Sequence, residues 1–193
     1  MKLKLFGIEF EVSFLFTAVL SLMLLTDKTG LMPYFLISAA LHEAAHLTFM
    51  LIFKSKPSAI RFVAGGIHIA ERNRDSAFEE LIILISGPLI NLICFFIFRG
   101  EFSLINLILF IYNILPVDGL DGGRIVETLL SGRISENRVS KTITVTSLLT
   151  AMFFLFFFGL SLHYGIKNYT LIIFSFYLLT TLFLKKILKE KRV

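Results

Sequence analysis

Apolar residues gather in six stretches, near 12–25, 31–53, 77–98, 102–116, 143–163 and 168–184, separated by short segments that hold most of the charge. A helix crossing a bilayer needs about 20 apolar residues, within roughly 17–25. The second and third stretches meet that length easily. The first and fourth fall short, and must borrow flanking residues, sit in a thinned bilayer or cross incompletely. The pattern predicts an all-α polytopic membrane protein with about six transmembrane helices. The opening run, "MKLKLFGIEFEVSFLF", has a charged start but no small-residue cleavage site after its apolar part, so it reads as a retained first span and not as a signal peptide. No intervening segment is long and polar enough for a soluble domain, and residues 1–193 are expected to form one membrane-embedded domain.

Composition strengthens the membrane reading. Only 17% of the residues are charged, the mean hydropathy is +0.82 and there are 22 Phe. Ordinary soluble domains are roughly 25% charged. A net charge of +5 could suggest a nucleic-acid partner, but the placement of the cations argues for a membrane face. With the N-terminus in the cytoplasm, 16 of the 19 Lys and Arg fall in inside segments, and only Lys28, Arg99 and Lys167 fall outside. Such an excess marks the cytoplasmic loops of multi-pass proteins. Both termini are therefore expected in the cytoplasm, with no nucleic acid as partner. The single cysteine, Cys94, excludes an intrachain disulfide and, within an apolar run, reads as a buried thiol.

Against this background the segment "LHEAAHL", residues 41–47, is conspicuous. Ionisable side chains at membrane depth are costly and tend to mark functional sites. On a helix His42 and His46 share one face, about 6 Å apart along the axis. That spacing lets two imidazoles hold one zinc ion, with Glu43 on the adjoining flank as acceptor for a water's proton. The bland alternative, three side chains merely bonded to neighbouring helices, would need a buried partner for each. A catalytic zinc takes three protein ligands and leaves one position open. The second polar cluster, "YNILPVDGLDGGRI" at 112–125, offers Asp118 and Asp121 in a stretch where Pro116 ends a helix and Gly119, Gly122 and Gly123 let the chain turn. Spacing alone leaves the two aspartates tied, and also allows an ordinary helix–loop–helix turn.

Together the two clusters resemble the site-2 proteases, zinc metalloproteases that cut within membranes. The matching residues are His42-Glu43-Ala44-Ala45-His46 and, further on, Asn113-Ile114-Leu115-Pro116 through Leu120-Asp121-Gly122-Gly123. "AGGIHI" at 64–69 resembles that family's Gly-Gly segment, a membrane-associated β-hairpin, which implies a small hairpin near residues 57–71. "SGPLIN" at 86–91 resembles its small-Gly-Pro-x-x-Asn signature. The resemblance extends over about residues 31–131. It implies one zinc ion held by His42, His46 and Asp121, Glu43 as general base, and Asn113 and Pro116 in the substrate cleft. Gly65 and Gly66 would help to hold the substrate. Two departures are Ala45, where many members carry Gly, and Asp118-Gly119, where many carry a second Pro.

The short chain and early His pair look most like the branch containing stage IV sporulation protein FB, which releases a membrane-tethered sigma factor. That similarity implies a bacterial cell-membrane protein acting on a membrane-tethered protein, with an inhibitor or regulatory subunit as a further partner. The branch's CBS domain is not expected here, nor is a PDZ domain. Two competing readings are a metal transporter and a catalytically inactive relative that binds membrane proteins. A transporter path should spread its ligands over several depths, and has no evident use for Glu43. His68, His163 and the Phe run at 153–158 read as interfacial or packing residues, and the basic C-terminal cluster as an anchor on anionic lipid.

Overall fold

The computed structural model describes residues 2–5, 8–55, 57–63, 66–71 and 76–164. The expected sixth span, 168–184, and Gly65 lie outside the described residues. The chain divides into two compact units, Met1–Tyr112 and Asn113–Val193.

The first unit opens on strands β1 (Lys2–Leu5) and β2 (Ile8–Val12), followed by helix α1 (Phe14–Thr26). This corrects the expectation that the opening run leads straight into a first span. The reason lies in its period: Lys-Leu-Lys-Leu and Ile-Glu-Phe-Glu-Val alternate every second residue, which separates charged from apolar side chains on a strand but not on a helix. In the antiparallel register Leu3 pairs with Phe10 and Lys4 with Glu9. β2 then pairs in parallel with β3 (Pro57–Val63), setting Phe10 beside Ile60 and Glu11 beside Arg61. β3 turns back antiparallel onto β4 (Gly66–Glu71). The hairpin expected near 57–71 is therefore present, but as half of a four-stranded sheet in the order β1-β2-β3-β4. Ser13 ties the sheet to α1: its Oγ accepts the Phe16 amide at 3.1 Å, and its own amide donates to the Phe62 carbonyl at 2.9 Å. The Phe16 and Phe62 rings pack with centroids 5.6 Å apart.

A tight turn leads from α1 to α2 (Met32–Ile52). Asp27 holds it, its Oδ1 accepting from the Thr29 amide, the Thr29 hydroxyl and the Gly30 amide, and its Oδ2 from the Met32 amide. These donors, the Thr29 hydroxyl foremost, favour the ionised carboxylate and lower the Asp27 pKa to about 2. α2 packs against α3 (Ala77–Ile97). Its buried stripe, Ser38, His42, His46 and Met50, repeats every fourth residue, and α3 answers with Glu80, Ile83, Leu84, Gly87, Asn91 and Cys94. Such spacing is that of a single helix face. The burial of Cys94 agrees with its reading as an inert thiol. α4 (Glu101–Ile114) follows after a short turn, and its Ser103 hydroxyl donates back to the Phe95 carbonyl of α3 at 2.8 Å.

The second unit contains α5 (Asp121–Leu130) and α6 (Glu136–His163). Its core is Val117 and Ala151, with Leu115 and Leu120 packed against them. α6 starts seven residues before the apolar stretch expected at 143–163, at Glu136. Among the described residues α2, α3 and α6 are long and apolar enough to cross a membrane, whereas α1 and α4, at 13 and 14 residues, are shorter.

Candidate metal centre

The first unit brings His42 and His46 together at the buried interface of α2 with α3. Their Nε2 atoms stand 3.1 Å apart, and the ring planes meet nearly edge to face. The opposite side of each ring is already committed. His46 Nδ1 lies 2.7 Å from the Ile83 carbonyl, which only accepts, so this nitrogen carries the proton. His42 Nδ1 lies 2.6 Å from Asn91 Oδ1. The Asn91 amide cannot be reversed, because its nitrogen donates to the Ser38 carbonyl at 3.3 Å and to Asn106 Oδ1 at 2.8 Å. His42 Nδ1 is therefore a donor as well. In neutral rings both Nε2 atoms then present lone pairs to one another, an arrangement that repels unless a cation joins them. Imidazole ligands hold metals in this way, with the remaining ring N–H bonded to a carbonyl or amide oxygen.

Gly87 completes the local shape. A Cβ at this position would sit 2.6 Å from His46 Cε1 and 2.7 Å from His42 Nε2, closer than side chains approach. The backbone of α3 thus lies directly against the paired nitrogens, and only glycine leaves their faces clear. The residues present therefore fit a metal ion. Glu43, half-buried, follows His42 on the adjoining flank of α2.

The remaining expected site residues lie elsewhere in the chain. In the second unit Asn113 is half-buried in the last turn of α4, and Pro116 follows in the turn that ends it. Asp121 is the first residue of α5, where the helix dipole favours a negative charge. Asp118 lies in the preceding turn, its amide donating to Ser147 Oγ at 3.0 Å while that hydroxyl donates to the Ile143 carbonyl. Here the glycines correct the sequence reading. Only Gly119 uses glycine's conformational freedom, at φ +89°. Gly122 and Gly123 are helical and buried, and a Cβ on either would overlap the carbonyls of Ile114, Leu115 or Val117. They let the start of α5 press onto the turn before it, so Asp121 sits on a packed helix end and not on a loose loop. In the first unit Gly66 opens β4.

Several residues of the centre were not foreseen. Gly87 and Asn91 lie within "SGPLIN", so their motif was visible but their contacts were not. Ser38, one turn before His42, and Asn106, an amide in the middle of the apolar helix α4, carried the signal of polarity at membrane depth.

Comparison with known proteins finds one family and one solved structure to which the chain is similar. The model of peptidase family M50 matches residues 98–157. No curated protein matches the sequence. The site-2 protease from Methanocaldococcus jannaschii has a similar fold, with a TM-score of 0.64 and 25% sequence identity, over 92% of this chain and 91% of that one. Both similarities, one to a peptidase family and one to a site-2 protease, support a membrane metalloprotease, as the paired motifs imply.

Proposed function

We propose that this chain is an intramembrane zinc metalloprotease that hydrolyses peptide bonds within or beside the transmembrane segment of a membrane-tethered protein. The observation that carries this reading is the pair of buried histidines with both Nδ1 atoms committed to acceptors and both Nε2 atoms turned together, on a helix long enough to cross a bilayer. Two imidazoles and a carboxylate, from His42, His46 and Asp121, would hold the metal ion, a donor set of the kind that suits a catalytic zinc. Zinc in such a site supplies Lewis acidity, polarising a carbonyl and making a water acidic near neutral pH. Glu43 would accept a proton from the attacking water and return it to the leaving amine. Asn113 orients the substrate backbone at the cleft, and Pro116 sets the turn that shapes it. A peptide bond inside a helix is shielded and already hydrogen-bonded, so the substrate must unwind locally. Among the described residues β4, which opens at Gly66, stands at an end of the strand order, and such an edge would let an extended substrate pair, with Gly65 and Gly66 helping to hold it.

The cation distribution supports a multi-pass membrane protein with both termini in the cytoplasm, and the resemblance to the stage IV sporulation protein FB branch carries the bacterial reading. A single-span regulator such as a pro-sigma factor is the substrate class this reading favours, with a membrane inhibitor as a further partner. The test is Glu43→Gln, co-expressed with candidate single-span regulators and assayed also as purified protein. Zinc content should stay at one per chain while cleavage falls by about 10²–10⁴-fold, the usual worth of a general base. Undiminished turnover would remove Glu43 from this role, and absence of cleavage by the unaltered chain across the substrates would favour an inactive relative.

A further inference from the structure

Behind His42 runs a chain of buried polar groups that the proposed chemistry does not use. It begins at Asn106 on α4, whose side-chain nitrogen donates to the Phe102 carbonyl at 2.8 Å and to Ser38 Oγ at 2.8 Å. A carbonyl only accepts, so the nitrogen must be at that end and Oδ1 must face Asn91. Asn91 on α3 answers with its own nitrogen at 2.8 Å, spends its other N–H on the Ser38 carbonyl, and so turns Oδ1 to His42 Nδ1 at 2.6 Å. Ser38, Asn91 and Asn106 are all fully buried. The direction of every bond in the chain follows from two backbone carbonyls, Phe102 and Ser38, on two different helices.

Burial gives this ordering its force. In an apolar interior a reversed amide would face donor to donor or acceptor to acceptor at each junction, and no solvent is at hand to compensate. We infer that Asn106 is a positioning residue for the metal site: through Asn91 it holds His42 in the tautomer whose Nε2 is bare, and so ties ligand readiness on α2 to the placement of α4. The inference rests on His42 and His46 being metal ligands. Without Asn106, the Asn91 amide keeps only the longer bond to the Ser38 carbonyl and can reverse. Its nitrogen would then donate to His42 Nδ1 and drive the proton to Nε2, where it blocks ligation.

The variants to compare are Asn106→Leu, which removes the acceptor, and Asn106→Asp, whose oxygen accepts from Asn91 in either protonation state. Zinc affinity is measured by chelator competition on the purified full chain in detergent. Asn106→Leu should weaken zinc by about 10–100-fold, the usual cost of losing an outer-shell partner, and Asn106→Asp should restore most of it. Equal zinc affinity in Asn106→Leu and the unaltered chain would overturn the inference, as would equal losses in the Leu and Asp variants. A second measurement needs no variant at position 106: histidine ¹⁵N shifts of the zinc-free chain at alkaline pH, with His42 assigned by its loss in His42→Ala. They should show His42 protonated on Nδ1, and protonation on Nε2 would overturn the inference even if Asn106→Leu failed to fold. Failure of the unaltered chain to bind zinc would instead remove the metal reading itself.

Discussion

Replacing Gly87 with alanine tests the metal centre at its tightest point. The new methyl would lie 2.7 Å from His42 Nε2 and 2.6 Å from His46 Cε1, where ordinary contact begins at 3.4 Å. The His46 ring, whose Nε2 is nearer still, must therefore retreat by at least about 0.8 Å. Neither ring can swing freely, since His42 Nδ1 is held by Asn91 at 2.6 Å and His46 Nδ1 by Ile83 at 2.7 Å. Breaking either hold takes a buried ring N–H off its acceptor, so the displacement is shared between the rings and the backbone of α3. Overpacking of this kind costs about 1–3 kcal/mol. Ligand distances in a working metal site vary by only about 0.2 Å, so the required movement exceeds the tolerance at least about fourfold. Zinc affinity should fall by at least about 100-fold and cleavage with it, while the chain still folds with a lower thermal midpoint. Zinc per protein after dialysis against a chelator, read beside the melting curve, separates the two effects. Gly159→Ala is the control, because a Cβ there meets nothing within 4 Å. A Gly87→Ala protein that keeps one zinc and full turnover would refute the reasoning.

The two aspartates of the second cluster can be separated by zinc content. Asp121→Asn should lose zinc and activity together, whereas Asp118→Asn should keep its zinc and part of its rate; the reverse pattern would reassign the third ligand. Asp27, with its carboxyl lowered to about 2 by the hydroxyl and amides of the turn, should titrate well below the ordinary 3.8. Because the folded pKa is depressed, its contribution to the turn is complete above 3.8 and fades as the pH falls through about 2. A carboxyl ¹³C titration with its midpoint at 3.8 would contradict this. Reporter fusions after residue 28, after residue 100 and at the C-terminus should place the first two outside and the last in the cytoplasm. A C-terminal reporter active outside would overturn the topology.

Much of this arrangement follows from local pattern. Apolar runs of sufficient length become α2 and α3, a four-residue spacing puts His42 and His46 on one face, and Pro116 stops α4 two residues after its last helical position. The Gly-Gly motif marked the hairpin of β3 and β4. The alternation in residues 2–12 was equally legible as strand, but the apolar run after it drew the whole opening segment into a helix reading.

What tertiary structure alone decided are relations between distant residues, on which local periodicity carries no information. The parallel pairing of β2 with β3 joins segments separated by α1 and α2. Gly122 and Gly123 look like free joints in sequence, yet they are helical and closely packed, because what matters is the carbonyl that a Cβ would strike. Gly87 is needed for the same reason, through two rings more than 40 positions away. The tautomer of His42 depends on which way Asn91 and Asn106 point, and that is set by carbonyls on α4 and α2. A side chain's type shows which bonds it can make. Which of them it makes is settled only when folding brings the partners within reach and removes the water that would otherwise compete.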